Sequence, residues 1–297
     1  MSYLSRIDRA FSDAPVLPLS ENGRYVIFSD CHRGIGTSND NFLKNQHLYF
    51  AALNYYYQHS FCYIELGDGD ELWENRSFSA IQNIHSNVFW LLSLFYEEHR
   101  LFMLFGNHDI AKKDFHPFSD CCFHEGLRLK DCVTGQELYL THGHQADFFN
   151  STLWRLSCFL VRYLWKPLEQ FGVLDPTSAA KNYKVKNKTE QRLQEWTKLH
   201  KKILITGHTH RPVLGSKDSL YFNTGSCVHP RCITCIELVR RELSLVKWTL
   251  STKPDRTLFV AREVLAGPVS LDDLLEDSQE LTSILSRRFR RLPLPSG

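Results

Sequence analysis

Net charge is nearly absent from this sequence. Its 297 residues carry 35 Lys and Arg against 33 Asp and Glu, a formal balance of +2. No global field therefore draws the chain to nucleic acid or an acidic membrane, and any such partner needs a local patch. Long apolar runs are missing as well. A membrane-crossing helix needs about 20 mostly apolar residues, whereas the nearest candidate, Cys158 to Trp165, is short and contains Arg162. Residues 1–23 are polar and mixed, without the apolar stretch and small-residue cleavage site of a secretory leader. Repeats and low-complexity segments are lacking. The nine cysteines are odd in number and irregularly spaced. Cys232 and Cys235 have CxxC spacing, but they fall in a strand-like run, where residues three apart point to opposite faces. With no second CxxC, a structural zinc site is not expected. Reduced thiols and a cytoplasmic location are the expectation.

Hydrophobic residues make up 43% of the chain, enough for a large core. In the first half, short apolar runs alternate with helical spacing. Tyr25–Ser29, Cys62–Leu66 and Leu101–Phe105 read as strands, and residues 42–57 and 78–97 as helices. This rhythm implies parallel strands with helical crossovers. Leu138–Leu140 and Ile203–Thr206 are further strands, separated by a helical block at about 146–200. Beyond Gly207 the runs Leu220–Phe222, Cys232–Val239, Leu243–Leu250 and Leu258–Val264 read as antiparallel strands completing a second sheet. A single domain over residues 1–270, followed by a frayed tail at 271–297, is expected.

Five of these strands end in loops carrying metal-type ligands: Asp30-Cys31-His32, Gly67-Asp68, Gly106-Asn107-His108-Asp109, Thr141-His142-Gly143-His144 and Gly207-His208-Thr209-His210. Any one of them reads as well as a turn or a surface histidine. Five in order differ, because ligands of α/β sheets bind outside the carboxyl ends of the strands. Two divalent cations about 3.5–4 Å apart can clamp the attacking and leaving oxygens of a phosphoryl displacement. Mixed Asp, His and Asn donors suit Mn, Fe or Zn better than Mg or Ca, which favour all-oxygen shells.

On these motifs the chain resembles the calcineurin-like metallophosphoesterase superfamily over about residues 24–230. The resemblance implies an α/β fold, a four-layer α-β-β-α sandwich with two mixed sheets and a helical insertion. It implies two divalent metal ions, Mn first and Fe or Zn as alternatives. One ion takes Asp30, His32, Asp68 and His210; the other takes Asp68, Asn107, His142 and His208. The implied reaction is hydrolysis of a phosphodiester, pyrophosphate or phosphomonoester by metal-bound hydroxide. Asn107, His108 and Asp109 are the implied catalytic residues, with His108 handling phosphate or the leaving oxygen and Asp109 orienting His108. The segments GDGDELWE and GHTHRPV look closest to the bacterial UDP-2,3-diacylglucosamine pyrophosphatase-like branch. Two departures stand out: His108 where that branch carries Arg, and HGH where HGD is usual. A protein serine/threonine phosphatase and a non-catalytic interaction protein on the same fold are the alternatives.

The insertion is aromatic, with Phe148, Phe149, Trp154, Phe159, Tyr163, Trp165 and Phe171, and interleaves Arg155, Arg162 and Lys166. A helix packing its apolar side on the main domain is the favoured reading. A substrate lid and a peripheral membrane contact through 148–171 are the others. The expected ligand is a phosphorylated small molecule, nucleotide-linked or lipid-linked. Arg33, Arg76 and Arg211 follow motifs closely enough to grip its phosphate, and each also fits a structural ion pair with Asp70, Glu71 or Glu74. His144 is a further candidate for substrate contact.

Overall fold

The computed structural model describes residues 1–37, 40–114, 123–165 and 182–274. Lys166, Phe171 and Lys181 of the insertion, and the tail from residue 275 on, lie outside the described residues.

Strands β1 (Val16–Leu19) and β2 (Arg24–Phe28) follow helix α1 (Tyr3–Ala10). Then come α2 (Gln46–Gln58), β3 (Cys62–Leu66), α3 (Phe78–Ile84), α4 (Ser86–Glu97) and β4 (Leu101–Leu104). Three short strands come next, β5 (Phe123–His124), β6 (Gly126–Asp131) and β7 (Glu137–Thr141). The insertion holds α5 (Phe148–Ser151), α6 (Trp154–Leu160), a π turn at Val161–Trp165 and α7 (Tyr183–His200). The chain then forms β8 (Ile203–Thr206), β9 (Tyr221–Asn223), β10 (Cys232–Val239), β11 (Glu242–Thr252) and β12 (Leu258–Ser270).

These strands form two mixed sheets, a seven-stranded one in the order β12-β11-β10-β2-β3-β4-β5 and a five-stranded one in the order β1-β6-β7-β8-β9. Three apolar cores separate four layers. Tyr49, Leu53 and Tyr56 of α2 and Leu92 and Phe95 of α4 pack with Val26, Phe28 and Tyr63 on the outer face of the large sheet. Ile27, Ile64, Leu66 and Leu104 meet Leu127, Leu129, Leu138, Leu140, Ile203 and Ile205 between the sheets. Ile7 and Phe11 of α1 and Leu193 and Trp196 of α7 cover Tyr139, Leu204 and Tyr221 on the far side. Within β2 the period-2 alternation is direct, with Val26 and Phe28 toward helices and Tyr25 and Ile27 toward the other sheet. The expected α-β-β-α sandwich is the observed architecture.

Three expectations need correction. The strands after residue 231 do not complete a second sheet. Strand β10 pairs antiparallel with β2, Ile236 opposite Ile27, and so extends the first sheet. Tyr56 of α2 fastens this extension, donating to Glu237 Oε1 at 2.6 Å and accepting from Trp248 Nε1 at 2.9 Å. The second sheet is instead finished by β1 and β6, two strands the pattern did not announce. The helix at 78–97 is two helices, broken at His85 (φ −104°, ψ 34°), whose buried Nε2 faces Asp40 Oδ2 at 3.0 Å. Finally, residues 148–165 of the insertion leave most of their large apolar side chains exposed. Asn150, Ser157 and Val161 face inward, while Phe148, Phe149, Leu156, Phe159, Tyr163 and Leu164 are exposed. Among the described residues no helix is long and apolar enough to cross a membrane.

Candidate metal centre

Parallel strands β2, β3 and β4 lie side by side, and β7 and β8 do the same in the other sheet, so five strand-end loops open on one edge. Backbone hydrogen bonds continue between the loops after the strands stop. Asp30 N donates to Gly67 O at 3.1 Å, His32 N to Asp68 O at 2.9 Å, and Gly207 N to His142 O at 3.0 Å. The chain is sharply bent at the ligands themselves. Asp30, His32, Asp68, His208 and His210 all have φ between 48° and 66°. Non-glycine residues seldom take this left-handed conformation, and such strain gathers at functional sites. Close approach also fixes two glycines. A Cβ on Gly106 would lie 2.2 Å from Asp68 Oδ1, and one on Gly207 2.5 Å from Asp30 Oδ2.

Six of the seven expected ligands gather in two groups, Asp30 with His32 and His210 and Asp68 with His142 and His208, and of the seven, Asn107 included, all but His210 are buried. His210 Nε2 is 3.0 Å from Asp30 Oδ1 and 3.3 Å from His32 Nε2. On the other side His142 Nε2 is 3.1 Å from Asp68 Oδ2, and His208 completes that group. Asp68 Oδ2 and Asp30 Oδ1 both lie between the two sets, the former 3.9 Å from His32 Nε2 and the latter 4.0 Å from His142 Nε2. His142 Nδ1 is turned to Leu66 O at 3.0 Å, which directs Nε2 inward.

Electrostatics favour a cation here. Burial opposes charge on Asp30 and Asp68, yet the neighbouring histidines hold both carboxyls well below the usual range. Burial likewise lowers His32 and His142, but the carboxylates overcome it and push them up to about 10 and about 9. The field of the two carboxylates therefore favours positive charge between them. Asp30 Oδ1, Asn107 Oδ1, His142 Nε2 and His208 Nε2 are all buried and none has a well-aligned hydrogen bond, although His210 Nε2 lies 3.0 Å from the first and Asp68 Oδ2 3.1 Å from the third. Buried polar atoms are rarely left so. Atoms of ligand type so placed fit a cation, with Asp30, His32 and His210 forming one candidate group and Asp68, His142 and His208 another.

The residues around the ligands depart from expectation. His108 Nδ1 pairs with Glu71 Oε1 at 2.8 Å, and the other oxygen of Glu71 holds His32 Nδ1 at 2.8 Å. Glu71, not Asp109, orients His108. Asp109 serves the backbone instead, accepting from Gly106 N at 2.7 Å and Gly69 N at 3.0 Å, and from Lys112 Nζ at 2.7 Å. Glu71 follows the Gly-Asp motif by three residues, a spacing that could have flagged it.

Arg33 is not placed to grip a substrate. It is fully buried, bidentate to Glu65 at 2.8 and 2.9 Å and bonded to Asp70 at 2.7 Å. Arg211 Nε is engaged by Glu190 of α7 at 3.0 Å. Arg76 bonds the Tyr163 hydroxyl of the insertion. His144 is buried with its ring 5.5 Å from that of His142, and burial together with His142 and His208 holds it neutral, well below its usual range. Asp147 was not expected near the site, but its Oδ2 is 3.9 Å from His208 Nε2.

No protein-family model matches the chain, and no curated protein does. Among solved structures, Vps29 of Chaetomium thermophilum aligns over 82% of this chain and 96% of its own, at 12% identity and a TM-score of 0.37.

Proposed function

We propose that this chain is a calcineurin-like metallophosphoesterase that hydrolyses a phosphoester or phosphoanhydride bond with two divalent metal ions, manganese first among them. The observation that carries the reading is the pair of facing clusters Asp30–His32–His210 and Asp68–His142–His208, in which Asp30 Oδ1, His142 Nε2 and His208 Nε2 are buried without well-aligned hydrogen bonds. When bound, such a pair supplies Lewis acidity at a phosphoryl oxygen and acidifies water.

The chain's own groups supply the rest. Glu71 takes up Nδ1 of His108, which leaves Nε2 to hold a proton for the leaving oxygen. Water adds its oxygen to phosphorus and gives up one proton to solvent, the bond to the leaving oxygen breaks, and that oxygen departs with the His108 proton; His108 is then reprotonated from solvent. Burial opposes charge on His108, and Glu71 and Asp68 outweigh it, raising its affinity for that proton.

The substrate we propose is a phosphorylated small molecule, nucleotide-linked or lipid-linked, as for a UDP-2,3-diacylglucosamine pyrophosphatase-like enzyme acting in the cytoplasm. The insertion favours this over a protein phosphatase. Arg162 bonds the carbonyl oxygens of Leu72 and Trp73 at 3.0 and 2.6 Å, so the insertion is fastened to the site's own loop. The test is Mn²⁺-stimulated hydrolysis of bis-p-nitrophenyl phosphate, followed by a screen of nucleotide-sugars, dinucleotides and phosphopeptides. Stimulated turnover with preference for a pyrophosphate is expected. A purified chain that binds no transition metal and shows no such turnover refutes the proposal.

A further inference from the structure

Trp73 is almost fully buried, yet it belongs to none of the three apolar cores. An indole ordinarily adds its area to a core. This one lies flat on His108 instead, with ring centroids 4.2 Å apart and planes at 25°. His32 meets the same imidazole edge-on at 4.8 Å. Together with the Glu71 hydrogen bond, these contacts fix the ring by a stacked face, an edge and one nitrogen. The indole Nε1 is buried and has no partner among the described residues. Packing alone does not account for a Trp kept there at the cost of an unsatisfied N–H.

The loop bearing Trp73 is in turn held from the insertion. Arg162 donates to the carbonyl oxygens of Leu72 and Trp73, and Arg76 bonds Tyr163. Leu72 N donates to His108 O at 3.2 Å, closing the loop back onto the His108 backbone. A continuous chain of contacts thus runs from the insertion through Arg162 and Trp73 to the His108 ring.

We propose that Trp73 is a positioning residue for His108, and that the insertion, through Arg162, sets the geometry in which His108 delivers its proton. This rests on the proposed hydrolysis, in which the proton passes from His108 Nε2 to the leaving oxygen as its bond to phosphorus breaks. A ring free to tilt would deliver that proton poorly, and the loss would be greatest for leaving groups that need it.

The experiment compares p-nitrophenyl and phenyl esters of one phosphodiester, using the full chain loaded with Mn²⁺. In Trp73→Leu, kcat/KM for the phenyl ester falls about tenfold further than for the nitrophenyl ester, mainly in kcat, while metal content stays that of the unaltered chain. Trp73→Phe restores the ratio. Arg162→Met moves it the same way by a smaller factor, and remains informative if Trp73→Leu does not fold. Equal losses on both esters, or loss of bound metal, overturn the proposal. An NMR readout needs no turnover. The His108 ring protons carry a ring-current shift from Trp73, which Trp73→Leu abolishes. A shift that survives that substitution also overturns it. An unaltered chain that shows the shift but hydrolyses neither ester refutes the hydrolase reading while leaving the stacking intact.

Discussion

Asp68 stands at φ 50° with one carboxylate oxygen tied to His108 N at 2.8 Å and the other facing His142. In the proposed centre it serves both ligand sets, so Asp68→Ala is expected to lose both ions and bring turnover to background, as read by metal analysis and Mn²⁺-dependent hydrolysis. Glu71→Gln keeps the shape but weakens the hold on His32 and His108. Partners of this kind are worth about 10–100-fold in metal affinity or activity, and metal titration against kcat separates the two contributions. Gly106→Ala drives a methyl group into the Asp68 carboxylate. Its expected signature is weaker metal binding in a chain that still folds, measured by titrating Mn²⁺ into the variant. At this scale the ligand types were legible, because each sits in a short polar stretch after an apolar run. The partners of Arg33 were not, because sequence does not say which way a side chain turns at the bend after His32.

Strand β3 and the loops after β3 and β4 share a buried charge network. Glu65, Asp70 and Asp109 surround Arg33 and Lys112, all of them buried, with Lys112 Nζ 2.5 Å from Asp70 and 2.7 Å from Asp109. Burial opposes charge on Asp70, but Arg33 and Lys112 hold its carboxyl down at about 2. Removing one cation strands carboxylates in the core. Lys112→Met is expected to cost about 3–5 kcal/mol of stability by urea denaturation. A second element-scale contact joins the two sheets, where Arg241 of the β10–β11 turn bonds Asp131 at the end of β6. Burial opposes charge on Asp131, and Thr134 and Arg241 hold its carboxyl below the usual range. A lowered folded-state pKa gives stability that is complete above the unfolded value, about 3.9, and is lost as pH falls through the folded one. The Tm gap between the unaltered chain and Asp131→Asn should therefore be constant near neutrality and close only below about pH 3.9. The strands and crossovers around this network were readable from apolar spacing. The break at His85 was not, since it depends on Asp40, forty-five residues earlier.

For the whole molecule, the proposed ions, held between loops of both sheets, would stabilise the folded chain over the unfolded one. Ligand at a hundred times its Kd contributes about 2.7 kcal/mol per site, or roughly 5 °C in Tm for a chain of this size. Chelation is expected to lower Tm by at least that amount and Mn²⁺ to restore it, which a thermal scan checks. The ordered set of five ligand loops was fixed by local chemistry, because short-range rules suffice for a strand ending in Gly and a metal-type residue. The same local rules predicted the parallel crossovers. Three matters were settled only when distant segments met. Strand β10 chose β2 as its partner because Tyr56 and Trp248 pack and bond across the joint. Arg33 became a buried ion-pair partner because Glu65 and Asp70 close around it. The insertion turned Phe148, Phe149, Phe159 and Tyr163 outward and its Arg162 onto the site loop, where open carbonyl oxygens accept it. Each depends on which surfaces face each other in space, and residue spacing along the chain carries no term for that.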